Sequence, residues 1–351
     1  MTRRIAFVAP SLEILGGQGV QAAALAAALR GDGHAVDFIP INPRFPAGVR
    51  WLRRVPYART VLNEALYAAA LRRLRGADVA HVFSASYWSF LLAPVPAILA
   101  ARALGIRVVL NYRSGEADDH LGHWGARVHP WLRRADAIVV PSEYLRTVFA
   151  RHGYRARVIP NVVDLARFAF RPRTLPGPRL VSTRNLEPYY AVDNTLHAFA
   201  LVRARYPQAT LTLAGAGRES ARLHRLATEL GLGGIRFLGR VEPAEMPAVL
   251  EAADIFVNSS VVDNQPVSVL EAFAAGVPVV STATGDIGAL LHDGEAGVAV
   301  PAGDPAAMAK AVIDLLENPA SAAAMARRAH AEIEAFTWER VRAQWAEVYA
   351  G

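Results

Sequence analysis

The chain has no cysteine among its 351 residues, which excludes disulfides, thiolate zinc sites and a cysteine nucleophile and suits a reducing compartment. Lysine is nearly absent as well: Lys310 is the only one, so arginine supplies almost all the positive charge. Long apolar runs are missing. The longest, Phe90 to Ala101, has 12 residues and contains Pro94 and Pro96, whereas a bilayer crossing needs about 20. The opening stretch Ile5–Pro10 resembles the core of a leader peptide, but Pro10 and Glu13 interrupt it and no small-residue cleavage site follows. It reads as a first buried strand.

Apolar residues make up 53% and charged residues 20%, a globular balance. A chain of this length suits two domains of roughly 150 to 180 residues. The net charge of +7 is uneven: residues 1–170 carry 22 Arg against 11 acids, whereas residues 171–351 carry 16 cations against 20 acids. The first half is therefore expected to meet something anionic.

Short β-rich runs alternate with helical patterns, the signature of parallel α/β sheets. Strands are predicted at Ile5–Ala9, Ala35–Ile39, Val79–Phe83, Arg107–Asn111, Ala137–Val140 and Arg157–Ile159, with helices at Val20–Arg30, Glu64–Leu74 and Glu143–Arg151. Residues 168–178 hold three prolines and a glycine without periodicity and read as a linker. The pattern then restarts, with strands at Arg179–Thr183, Thr210–Gly215, Ile235–Leu238, Ile255–Asn258, Val279–Ser281 and Val298–Val300. Helices are expected near Val192–Arg205, Arg218–Leu230, Met246–Ala252, Val267–Ala275 and Pro305–Glu317, followed by a helical tail broken near Thr337. Two doubly wound units predict a ligand cleft facing the carboxyl ends of both sheets.

The segment Asp263-Asn264-Gln265-Pro266-Val267-Ser268-Val269-Leu270-Glu271 carries the most chemistry. Pro266 opens a helix after a buried strand, and the free N–H groups at Val267–Val269 suit a diphosphate. Asp263 precedes that helix and Glu271 lies inside it. Two such acids can hold the hydroxyls of two sugars flanking a diphosphate, Asp263 a hexose and Glu271 a ribose. The plain alternative makes Asp263 a cap and Glu271 a solvated helix residue, but an unpaired carboxylate in an otherwise apolar helix is costly.

These residues resemble retaining glycosyltransferase family 4, of GT-B fold, over nearly the whole chain. The family's E-x7-E signature, with its Leu-Glu-Ala helix and Gly-x-Pro-Val-Val strand, falls on Asp263 and Glu271, the first acid being one methylene shorter here. Pro160-Asn161-Val162-Val163-Asp164 and Phe168 resemble the family's hinge, and Gly239-Arg240-Val241 the turn that meets the nucleobase. Gly215 lies in a strand-to-helix turn. Gly16 and Gly17, after the first strand, correspond to a loop that closes over the phosphates in the family; an ordinary flexible turn is the alternative. Arg184 occupies the place of an arginine that neutralises the diphosphate, yet the lysine usual about five residues later is replaced by Tyr189-Tyr190.

On the acceptor side, the family's frequent histidine after the strand ending in Asn111-Tyr112 is Arg113 here, and His120 could orient an acceptor hydroxyl instead or be a helix-cap or surface histidine. Asp118-Asp119 with His120 and His123 form one carboxylate-rich turn without further ligands, so no metal or other cofactor is expected. Arg44–Tyr57 and Arg72–Arg75 interleave arginine with Phe45, Trp51 and Tyr57, which suits an anionic membrane surface; a solvated basic face is the alternative, and no nucleic-acid module is recognisable.

The resemblance implies two Rossmann-like domains facing an inter-domain cleft. Residues 1–168 would be the acceptor-binding domain, with a C-terminal helix 338–351 crossing back to it, and 169–337 the nucleotide-sugar domain. It implies transfer of a hexosyl unit from a nucleoside-diphosphate sugar to a hydroxyl of a glycan, glycolipid or small molecule, in bacterial cell-surface glycan or glycolipid synthesis. The setting would be cytoplasmic, with peripheral attachment to the inner membrane face as an option. Rival readings are a nucleotide-sugar-binding protein without turnover and a GT-B sugar epimerase. A dinucleotide oxidoreductase would need a complete Gly-x-Gly-x-x-Gly, which neither half has.

Overall fold

The computed structural model describes residues 2–11, 16–174 and 176–351. The chain divides into two compact units, Met1–Pro160 with Arg342–Gly351, and Asn161–Val341. Sequence reasoning put these divisions at 168/169 and 337/338.

The first unit contains β1 (Arg4–Ala9), β2 (Ala35–Pro40), β3 (Val79–Ser84), β4 (Arg107–Tyr112), β5 (Ala137–Val140) and β6 (Ala156–Val158). They form one parallel sheet in the order β2-β1-β3-β4-β5-β6. The second unit contains β7 (Arg179–Ser182), β8 (Thr210–Ala214), β9 (Ile235–Gly239), β10 (Ile255–Asn258), β11 (Val279–Thr282) and β12 (Val298–Val300). Their order, β12-β11-β10-β7-β8-β9, is that of a dinucleotide-binding fold, and neighbouring strands pair in parallel. In each sheet the winding reverses once, between β1 and β3 and between β7 and β10. Past the carboxyl ends of those strands lies the crevice where doubly wound sheets bind ligands.

The near-continuous apolar strands follow from burial of both sheet faces. In the second unit Leu180, Ile255, Val257 and Val280 enter one core, while their neighbours Val181, Phe256 and Val279 enter the other. The first unit gathers Ala6, Val8, Ala80, Val82, Val108 and Leu110 with the helices on one face.

The last helix, Trp338–Ala350, supplies part of the first unit's other face. Trp345 and Tyr349 are buried; the Trp345 ring lies 4.9 Å from that of His81, and Arg107 Nε donates to the Val348 carbonyl at 3.2 Å.

Two segments differ from expectation. The helix predicted from Glu64 begins at Pro56 and runs to Ala70, with a 3-10 turn over Leu71–Leu74; proline at a first helical turn starts a helix without losing a bond. The expected linker is a packed part of the second unit. Arg173 is buried and donates to the carbonyls of Ala253 at 3.2 Å, Arg171 at 2.6 Å and Leu250 at 2.9 Å, and also to that of Ala275. One guanidinium thereby caps the carboxyl ends of the Met246–Glu251 and Val267–Ala274 helices. Proline without periodicity signals missing regular structure, not missing packing.

Candidate functional site

In the second unit the site grows from the ends of neighbouring strands. Arg184 leaves β7, and the segment 259–266 leaves β10. Arg184 Nη2 donates to Asp263 Oδ2 at 2.6 Å and Nη1 to Ser268 Oγ at 2.8 Å, so an ion pair spans the switch point. The guanidinium carbon lies 3.9 Å from the centroid of the Tyr190 ring. Arg184 is only 8% exposed, and its Nε is buried with no acceptor among the described residues. Tyr190 closes a 3-10 turn that passes into Ala191 at φ 44°, a left-handed conformation costing a non-glycine residue on the order of 1 kcal/mol. Ser259 Oγ lies 3.1 Å from the Tyr190 carbonyl oxygen and 2.8 Å from that of Ala191, holding the turn in place.

The approach to the Val267–Ala274 helix is equally fixed. Asn161 donates its N–H to Gln265 Oε1 at 2.7 Å and its Nδ2 to the Gln265 carbonyl at 2.6 Å. Gln265 Nε2 donates to Asp286 Oδ2 at 3.1 Å, and the Asp286 N–H to the Asn264 carbonyl at 3.0 Å. Gln265 thus spends its side-chain amide inside the protein and shapes the loop. Asp263 Oδ1 accepts the Asn264 N–H at 2.9 Å. Gly285, at φ 62°, passes so close to Asp263 that a side chain would strike its carbonyl oxygen.

Pro266 stands at the helix cap. The Val269 N–H is taken by the Pro266 carbonyl at 3.1 Å, so Val267 and Ser268 offer the free N–H groups of this helix start. One turn on, Glu271 is 8% exposed. Burial pushes its carboxyl up to about 7, with Arg167 pulling weakly the other way. The solvated-residue alternative is thereby excluded.

Gly215 follows β8, where a side chain would collide with the Arg184 carbonyl, so the close approach of the two strand ends requires glycine. Arg240 and Val241 follow β9 at the sheet edge. Arg240 is exposed and pairs with Glu242 at 2.9 Å.

In the first unit Gly16 caps and Gly17 begins the Gly17–Gly31 helix, on the β1 side of the switch point; the four preceding residues lie outside the described ones. Gly16 has φ −172°, extended backbone open to any residue, and a side chain at Gly17 would meet nothing within 4 Å. Asn111, Arg113 and His120 come together at the end of β4 but belong to two separate hydrogen-bond chains. In one, Arg113 Nη1 donates to Asn111 Oδ1 at 3.2 Å, Asn111 Nδ2 lies 3.0 Å from His81 Nε2, and His81 Nδ1 lies 2.7 Å from the Tyr349 hydroxyl. In the other, the Tyr112 hydroxyl lies 2.8 Å from Ser86 Oγ and 2.9 Å from His120 Nδ1.

His120 is fully buried beneath Tyr87, Phe90 and Trp124, and burial lowers its pKa to about 4. It is a neutral core histidine with Nε2 unpartnered among the described residues, so the surface alternative is excluded. The neighbouring acids have their own partners: Asp119 accepts from Tyr87 at 2.5 Å and pairs with His123 at 2.7 Å, and Asp118 faces Arg151 and His152.

Sequence reasoning placed Asn161 in the hinge but missed its hold on Gln265, and it missed Asp286, which shapes the same loop, and the His81–Tyr349 pair. Partners of this kind leave no local spacing signal. Tyr190 did leave one, as the aromatic residue standing where the resemblance expected a second cation.

Two family models match: Glycosyltransferase Family 4 over residues 15–167 and Glycosyl transferases group 1 over residues 177–318. A GDP-mannose-dependent alpha-(1-6)-phosphatidylinositol monomannoside mannosyltransferase of Mycolicibacterium smegmatis is 32% identical, over 83% of this chain and 82% of its own. A glycogen synthase of Mycobacterium tuberculosis is 33% identical over 72% of this chain, and the match spans 65% of that enzyme's length. Among solved structures, a sucrose-phosphate synthase from Thermosynechococcus elongatus superposes with a TM-score of 0.80 at 21% identity, covering 99% of this chain and 98% of the other. Anabaena Alr3699/HepE in complex with UDP-glucose gives 0.78 at 20% identity, with 99% of both chains covered. The chain belongs to glycosyltransferase family 4 and has the GT-B fold.

Proposed function

We propose that the protein transfers a hexosyl unit from a nucleoside-diphosphate sugar to a hydroxyl acceptor, with retention at the anomeric carbon. The observation that carries this is the cluster at the β7/β10 switch point, where Arg184 pairs with Asp263 and Ser268 beside the helix start at Val267, with the buried Glu271 one turn further along the same helix. The anomeric carbon–phosphate oxygen bond breaks and the acceptor oxygen bonds to the same face. The acceptor's proton passes to the departing phosphate oxygen, so no protein base is required. Arg184 and the helix start stabilise the charge that grows on the leaving group, without a metal. In the second unit Asp263 holds the hexose and Glu271 the ribose, with Gly215, Arg240 and Val241 on the nucleotide side; in the first unit Asn111, Arg113 and His120 belong to the acceptor side.

Support comes from the family and from relatives named for mannosyl transfer to phosphatidylinositol mannosides and for glycogen synthesis. A screen of nucleotide-sugars by thermal shift tests it: a true sugar donor at 100 times its Kd adds about 2.7 kcal/mol. A flat response to every UDP-, GDP-, ADP- and dTDP-sugar sinks the assignment, and binding without turnover on any acceptor favours the non-catalytic alternative.

We further propose a cytoplasmic setting at an anionic membrane surface. No helix among the described residues is long and apolar enough to cross a membrane. Around the 3-10 segment Ala47–Arg54, however, Trp51 is 64% and Tyr57 89% exposed, amid the exposed Arg44, Arg50, Arg53, Arg54 and Arg59. Exposed aromatics between arginines suit a headgroup layer. Cosedimentation with vesicles containing phosphatidylglycerol, but not with phosphatidylcholine alone, is the expected result.

A further inference from the structure

Among the described residues Arg113 is a charge without a counter-charge. It pairs with no described carboxylate: Nη1 goes to the neutral Asn111 amide, the guanidinium sits 5.0 Å over the Phe83 ring, and Nη2 is buried with no acceptor among the described residues. Its surroundings weaken its hold on the proton, lowering the pKa to about 9 through burial. A buried guanidinium with an unanswered N–H is expensive unless an anion completes it, and Arg113 stands directly past the carboxyl end of β4, on the edge where such sheets take ligands.

The guanidinium is also aimed. Because Arg113 donates to Asn111 Oδ1, the Asn111 Nδ2 must donate to His81 Nε2, which therefore carries no proton. The His81 proton is then on Nδ1 and is donated to the Tyr349 hydroxyl. Burial and the nearby Arg113 hold the His81 pKa well below its usual value, so the ring stays neutral. Phe7, Phe83 and Trp345 pack around it. A four-residue chain from the last helix thereby fixes one edge of the guanidinium and leaves the other unfilled.

We infer that Arg113 is an oxyanion-recognition residue of the acceptor side, so that the acceptor carries a phosphate or carboxylate beside its reacting hydroxyl, and that Asn111, His81 and Tyr349 are positioning residues for it. This rests on the proposed transferase reading but is tested apart from it. Inorganic phosphate is titrated calorimetrically into the full-length chain carrying Arg184→Gln, which removes the other phosphate-binding arginine. The expected result is phosphate binding that weakens about tenfold or more on adding Arg113→Gln, with Arg113→Lys intermediate because it keeps the charge without the fork. Tyr349→Phe strips the His81 Nδ1–H of its acceptor, so it should lower the melting temperature and weaken phosphate severalfold while Arg113 is present, yet leave the residual phosphate affinity of the Arg113→Gln background unchanged, a dependence that loss of packing alone would not produce.

Competition separates the sources. Displacement by glycerol 3-phosphate marks a soluble ester, and displacement only by phosphatidylglycerol vesicles marks a lipid headgroup; either supports the inference. Phosphate affinity, or its absence, that is the same with and without the Arg113 guanidinium overturns it, as does displacement by neither competitor. The nucleotide-sugar screen reads the transferase assignment independently.

Discussion

At the carboxyl ends of their sheets the two units treat charge in opposite ways. In the second, Arg184 is already met by Asp263, Ser268 and Tyr190, and the loop beneath is latched through Asn161, Gln265 and Asp286. In the first, among the described residues, Arg113 meets no acid and His120 turns an unpartnered nitrogen into a ring cluster. A paired cation can be held ready for a ligand whose charge is always the same, because only the partner has to be exchanged. An unpaired one is stable only with the ligand itself. The contrast suits an invariant diphosphate on one side and a particular acceptor on the other.

The largest expected effect lies on the paired side. Arg184→Gln removes the ion pair across the switch point and the cation proposed to face the leaving diphosphate. Turnover of the nucleotide-sugar should fall on the order of a hundredfold or more, the scale seen when one preorganised donor to a developing oxyanion is removed. Steady-state kinetics check this; a loss confined to KM would show instead that Arg184 binds the ground state and the transition state equally.

The next effect sets the two buried titratable groups against each other. Glu271 has its folded pKa raised to about 7, so the unfolded chain gives up its proton first. Stability therefore falls as pH rises from the unfolded carboxyl value through about 7, by roughly 3 kcal/mol. His120 has its folded pKa lowered to about 4, so stability falls as pH drops from about 6.5 toward 4. Denaturant melts across that range should show Glu271→Gln gaining on the parent at pH 8 relative to pH 5, and His120→Phe flattening the acid limb. Profiles parallel to the parent's would contradict the burial assigned to each. Because ribose hydroxyls donate to the ionised carboxylate, nucleotide affinity should also rise with pH through about 7 in the parent and not in Glu271→Gln.

The same contrast explains what the sequence revealed. Both parallel sheets were legible because strands buried on two faces are short apolar runs bounded by glycine and proline, and the observed strands lie within a residue or two of the expected ones. The Asp263–Glu271 segment was legible as one local cluster because its residues are contiguous, running from one strand end into one helix start. The other side is assembled from residues 81, 111, 113 and 349, which meet only after folding, and its histidines are settled by burial, which spacing does not encode. The linker reading of residues 168–178 went astray for a related reason, since Arg173 finds its carbonyl partners other than Arg171 about 80 and 100 residues away.

The smallest effect tests whether the paired side is complete despite its missing lysine. Tyr190 covers one face of Arg184, and an arginine stacked on an aromatic face gains about 0.5 to 2 kcal/mol. Stacking adds no charge, so Tyr190 does not replace the second cation; it fixes the plane in which the first one works. Tyr190→Phe keeps that face and should stay within about twofold of the parent in kcat/KM. Tyr190→Ala frees the guanidinium and should cost roughly three- to thirtyfold, mostly in kcat, because orientation matters most as the leaving group's charge develops. Tyr190→Lys discriminates further. If the lost cation limits the rate, lysine should raise kcat above the alanine variant despite losing the ring; if plane-fixing is what matters, lysine and alanine should behave alike.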